Sequence, residues 1–175
     1  DIGKTITNSL ESGGFPQFCY RALTKPPEYL VLIDSPTYRD HFARLADSII
    51  RALEREGLFV TRYFYEQNPR LCFRNIHGER EYLADLADKY SDHRVIIFGS
   101  GEHLRDPVSG ELDAWTTLFH KWRDRALLTT VPPAEWGMRE VALAREFIVL
   151  PASLDGLAAL VEHFENPAKL DLKAW

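Results

Sequence analysis

Two rhythms of apolar residues alternate along this chain. The first is the short unbroken run. Tyr29-Leu30-Val31-Leu32-Ile33 and Val95-Ile96-Ile97-Phe98 are apolar at every position, and successive side chains of a strand point to opposite faces, so each run predicts a strand buried on both. Leu58 to Tyr65, Ala126 to Val131 and Phe147 to Leu150, rich in aromatic and aliphatic residues, read as three further strands. The second rhythm is helical. Phe42, Leu45, Ala46, Ile49, Ile50 and Leu53 fall on one helix face that Gly57 brings to an end. Tyr82, Leu83, Leu86, Ala87 and Tyr90 predict a helix over 79–90, and Trp115, Leu118, Phe119 and Trp122 predict another. Pro133 suits the first turn of a helix ending near Arg145. Ser153 is placed to cap a last helix carrying Leu157, Leu160, Val161 and Phe164, with Asp155 in its first turn.

Strand and helix therefore alternate five times. That order predicts an α/β chain of Rossmann-like, three-layer α/β/α form, with a mainly parallel central sheet of five or six strands. Leu71-Cys72-Phe73, after the turn signal Asn68-Pro69, is the expected antiparallel addition. Residues 1–28 form a lead-in: Ile2, Ile6 and Leu10 recur at helical spacing before Gly13-Gly14, and Pro26-Pro27 interrupts regular structure. The domain proper is read as 29–165, followed by a polar tail over 166–175. The chain opens on Asp, and we expect a domain taken from a larger multidomain protein.

Composition narrows the function classes. Apolar and charged shares of 45% and 27% are ordinary for a globular chain. A net charge of −5 without any basic run argues against a nucleic-acid surface. No apolar stretch approaches the ~20 residues that span a bilayer, so membrane insertion is not expected. Two cysteines, Cys19 and Cys72, lack metal-ligand spacing and are too few for a disulfide framework, which points to the cytoplasm.

In either plausible strand order, 2-1-3-4-5 or 3-2-1-4-5 with an added edge strand, the strands ending at Asp34 and Phe98 are neighbours. Open α/β sheets bind ligands outside the carboxyl ends of such strands. The predicted site is therefore Asp34, Ser35, Thr37, Ser100, Glu102, Asp106 and Thr129 (or Thr130), with Glu135 and Trp136 on a rigid Pro132-Pro133 turn as a contact surface, against the plainer expectation that Trp136 packs on the core. A plainer reading has Asp34 cap the following helix, beside the cap-type residues Ser35 and Thr37.

The run Asp34-Ser35-Pro36-Thr37-Tyr38 at the end of the first strand resembles the von Willebrand factor A fold, whose first strand ends Asp-x-Ser-x-Ser. In that family the motif holds Mg²⁺ by oxygen atoms, with a later threonine and an aspartate from the fourth strand. Here Asp34 matches the leading aspartate, Pro36 and Tyr38 stand at the serine positions, and Ser100 stands where the later aspartate belongs. The resemblance implies a degenerate metal-ion-dependent adhesion site. No cofactor is expected; Mg²⁺ would require Asp34, Ser35 and Thr37 to compensate for the missing ligands. The implied function is non-catalytic, binding a protein partner or a neighbouring domain of the same chain through the carboxyl-edge loops. The alternative is an enzyme or nucleotide-binding domain at the same edge. A hydrolase would draw on Ser100, His103 and Asp106 or on Ser35 and His41. A Toll/interleukin-receptor-like NAD-processing domain would draw on Glu79 or Glu81. The turn after the first strand has no glycine, and Gly99-Ser100-Gly101 alone is no dinucleotide fingerprint.

Overall fold

A computed structural model describes residues 26–34, 41–75 and 78–166. The chain builds a seven-stranded mixed sheet in the order β4-β3-β2-β1-β5-β6-β7. The strands are β1 (Glu28–Asp34), β2 (Phe59–Tyr65), β3 (Leu71–Phe73), β4 (Arg80–Tyr82), β5 (Arg94–Gly99), β6 (Arg125–Thr129) and β7 (Ile148–Pro151). The helices are α1 (His41–Arg55), α2 (Leu83–Lys89), α3 (Met138–Leu143) and α4 (Leu154–Glu165). Every pair along β2-β1-β5-β6-β7 is parallel, while β3 and β4 join antiparallel at the β2 side. The parallel strands thus follow the 2-1-3-4-5 order. Residues 1–25 of the predicted lead-in (1–28), and the tail from 167, lie outside the described residues, while Glu28 already belongs to β1.

Burial follows from the alternation along β1. Tyr29, Val31 and Ile33 enter one core with Ala46, Ile49, Ile50 and Leu53 of α1 and Leu157, Leu160 and Phe164 of α4. Leu30 and Leu32 enter the other, with Leu83, Leu86 and Ala87 of α2, with Leu143 of α3, and with Phe119 and Trp122 from the connection between β5 and β6. Each such side chain contributes ~1.5–3 kcal/mol on leaving water. At the amino ends of the strands Arg94 acts as a clamp. Its Nη1 donates to the Tyr29 hydroxyl (3.1 Å), its Nη2 to the Phe164 carbonyl (3.1 Å), and its Nε pairs with Asp124 (3.2 Å).

Four expectations are corrected. The sheet has seven strands where five or six were expected, because 79–90 is not one helix: Arg80–Tyr82 pairs with β3 before α2 begins. Glu81, nominated near a helix start, instead lies in β4, where it accepts from the Tyr63 hydroxyl at 2.8 Å. The segment Ala114–Lys121 is a 3₁₀ helix. Its inward residues Thr116, Phe119 and the following Trp122 come every third position, which matches three residues per turn. Thr116 and Thr117 hydroxyls donate to carbonyls three residues back, which supports that tighter winding. The helix expected from Pro133 is a single 3₁₀ turn, Pro133–Glu135, and α3 starts only after Gly137, whose N–H donates to Glu140 (2.8 Å).

In the β3–β4 hairpin the free thiol of Cys72 is buried and donates to the Pro69 carbonyl at 3.2 Å. Burial, then Glu81, push its pKa up to about 12.

Gly156 in the first turn of α4 is fixed by β7: a methyl there would overlap the Pro151 carbonyl oxygen. Replacing a helical glycine by alanine ordinarily stabilises by ~0.5–1 kcal/mol. Here Gly156→Ala is expected to cost about 1–3 kcal/mol instead, read as a lower urea midpoint at unchanged slope.

Candidate functional site

The parallel register aligns Asp34 with Tyr65 of β2 and Ile33 with Phe98 of β5, so β1 ends between two neighbours. Gly99 ends β5 level with Asp34. A Cβ at Gly99 would stand 3.0 Å from the Asp34 Cβ and 3.0 Å from the Tyr65 hydroxyl oxygen, so a larger residue would push the aspartate or the tyrosine aside. Asp34 is 7% exposed, and its buried Oδ1 has no hydrogen-bond partner among the described residues. Desolvation raises the Asp34 pKa, opposed by the charge of His103. Burial, then the neighbouring Asp34, drive the Tyr65 pKa well above its ordinary value. The edge therefore carries a carboxyl oxygen taken from water with no donor among the described residues, an arrangement that costs stability. The capping reading of Asp34 turns on residues 35–40, which lie outside the described residues.

Gly101 has φ +72°, and a Cβ there would sit 2.8 Å from Leu127 and 2.9 Å from Leu143. The Gly-x-Gly sequence thus answers to close packing at both glycines. Beyond it, the loop folds back on itself. Asp106 Oδ1 accepts from Val108 N–H (2.9 Å) and Ser109 N–H (2.7 Å), and these bonds hold its carboxyl below the ordinary range. Arg105 Nε donates to the Gly110 carbonyl at 2.7 Å, and Arg105 bridges Leu112 antiparallel. Val108, at the tip, is 93% exposed.

Of the predicted site residues, Asp34, Ser100 and Thr129 lie at the ends of adjacent strands, β1, β5 and β6, with Glu102 exposed in the 3₁₀ turn Glu102–Leu104. Ser100 Oγ accepts from Glu102 N–H (3.3 Å) and Thr129 Oγ1 from Val131 N–H (3.2 Å). Asp106 is occupied with its own turn, so Ser100, His103 and Asp106 do not form a relay. Glu135 is exposed, whereas Trp136 is half-buried: its Nε1 donates to the Val131 carbonyl at 2.9 Å and its ring packs on the core. Ser35 and Thr37 lie outside the described residues, and His41 is described only in its backbone. Among the described residues, no group of three or more His, Cys, Asp or Glu is arranged to hold a metal ion. Sequence reasoning missed Tyr65 and the packing role of Gly99. The available signal was that Tyr65 ends β2 as Asp34 ends β1, in the same parallel register.

Comparison with known protein families, curated proteins and solved structures finds no match to this chain.

A raised folded-state pKa at Asp34 means that the folded chain holds this proton more tightly than the unfolded chain. Its stabilising share is complete below the ordinary carboxyl range, about pH 4, and is lost as pH rises through the folded value. Asp34→Asn removes that loss. The variant is expected to gain stability relative to the native chain as pH goes from about 4 to 7 in urea titrations. A variant that instead loses ground over that interval would mean that Asp34 is held by a favourable partner.

Proposed function

We propose that this chain is a von Willebrand factor A-like module of three-layer α/β/α form, without a catalytic role. It binds a protein partner, or a neighbouring domain of a larger parent chain, through the loops at the carboxyl edge of its sheet. The observation that carries this reading is the loop over 101–113. Arg105 and Asp106 spend polar groups on bonds within the loop that brace it, and the loop presents Val108 outward. A preorganised loop with an exposed apolar tip loses little conformational entropy on binding. The degenerate adhesion motif fits the same reading, since Pro36 and Tyr38 cannot supply the serine oxygens. The two-cysteine composition is consistent with work in the cytoplasm, and the net charge of −5 favours protein over nucleic acid as partner.

One observation favours the rival reading, an enzyme or nucleotide-binding domain. Carboxyl groups with raised pKa in a strand-end crevice are candidates for proton transfer, and Asp34 has that character.

The two readings separate in one pair of measurements. A photo-crosslinking residue at Val108 in cells is expected to trap one discrete partner. The same residue at exposed Glu56, on the connection that enters β2, is not, and Val108→Asp at the binding loop is expected to prevent co-purification of that partner. Equal trapping from both positions, or turnover of NAD or ATP abolished by Asp34→Asn, would favour the rival.

A further inference from the structure

A sizeable cavity lies away from the carboxyl edge. It measures about 700 Å³ and runs along β7, the last strand of the sheet, between α3 and the end of α4. A volume of this size is in the range of ligand-binding clefts. Its floor is an unpaired strand edge. Ala152 N–H donates to Thr129 O at 2.8 Å, which fixes the alternation along β7: Ile148 and Leu150 turn their backbone groups to β6, and Val149 turns its N–H and C=O outward. On either side, Phe147 N–H donates to Leu143 O and Pro151 O accepts from Ser153 N–H. Among the described residues, Val149 is left with both backbone groups open. Three cleft groups bear on what it can take. Arg123 is exposed and makes no ion pair with any described residue, whereas Arg125 and Arg145 are paired with Glu146 and Glu111. His163 Nδ1 is buried and has no hydrogen-bond partner among the described residues. Phe147 and Val141 provide apolar wall.

We propose that this cleft receives an extended peptide segment of another protein, which adds to the sheet beside β7. The segment exchanges both backbone hydrogen bonds with Val149 and places an acidic side chain against Arg123. Backbone pairing with an open strand edge is a recurrent mode of peptide recognition, in which flanking side chains set specificity. With a single open rung, the flanking contacts carry most of the selectivity. Two other occupants fit less well. A second copy would have to bring its own β7 edge, which lies equally recessed between two helices; Val149 is only 8% exposed although it is on an edge strand. The chain's own continuation past α4 is disfavoured by crossover hand. The β5–β6 and β6–β7 connections pack in one core and α4 in the other, so a parallel strand added beyond β7 would reverse the hand that crossovers share in nearly all folds. This surface is independent of the carboxyl-edge loops and stands or falls apart from them.

The test is a displayed library of random nonapeptides selected on the full chain, followed by titration of a synthetic consensus peptide. The expected consensus alternates apolar positions around one Asp or Glu. Arg123→Glu, an exposed change, is expected to weaken binding about tenfold or more, and a Lys in place of the peptide's acid is expected to restore it. N-methylation of the pairing residue is expected to abolish binding, and Val149 N–H to become protected from exchange. Failure to enrich any peptide, or affinity indifferent to both Arg123→Glu and N-methylation, overturns the proposal. So does a concentration-dependent dimer that consensus peptide dissociates, which would put a second copy in the cleft.

Discussion

β1 is hydrogen-bonded along its length to a parallel strand on each side, and its side chains divide alternately between the two cores. A strand in that position cannot slide. A one-residue slip would carry Tyr29, Val31 and Ile33 into the core built for Leu30 and Leu32 and would break two ladders together. The location of every group at the carboxyl edge is set by this constraint. Asp34 stands opposite Tyr65 and against Gly99 because the register leaves it no other place. The desolvation of its carboxyl is therefore imposed from below by burial that is far larger than the local cost.

The two ends of the sheet are treated differently. At the amino end, Arg94 joins β1, β5, α4 and the turn before β6, and Trp122 Nε1 donates to the Tyr90 carbonyl at 2.8 Å. Long side chains there close the structure. At the carboxyl end the polar residues mostly serve short loops: Asp106 its own turn, Thr129 the turn to Val131, Trp136 the Pro-Pro turn. The result is a closed base and an upper surface of braced loops, a division that suits presentation of contacts by loops on a rigid scaffold.

The elements most readable in the sequence were those decided by burial. β1 and β5 announce themselves by unbroken apolar runs, α1 by its stripe, and α4 by Ser153, whose Oγ accepts from Gly156 N–H at 3.0 Å. The adjacency of β1 and β5 followed from topology alone. What escaped was decided by tertiary pairing. Arg80-Glu81-Tyr82 carries no strong strand preference and becomes a strand because β3 offers an open edge. Ala114–Lys121 has apolar residues compatible with both 3.6 and 3.0 residues per turn, and only the inward series at every third position decides between them. At the site, the sequence placed Asp34, Ser100 and Thr129 on a common edge. Core packing of Trp136 was the first expectation and holds; that Asp106 closes a turn was not revealed, because it depends on hydrogen bonds to backbone groups whose orientation is a property of the folded loop.

The buried thiol of Cys72 makes the β3–β4 hairpin self-reporting. Only the thiolate reacts readily with alkylating reagents, and a group so reluctant to ionise, enclosed at the far side of the sheet, is silent while the hairpin stays closed. Its modification rate measures how often these two short strands lift from β2. Because the hairpin is attached through a few antiparallel rungs, that opening is a motion of its own, and the cysteine times the fraying of the sheet's least supported border while the parallel centre remains intact.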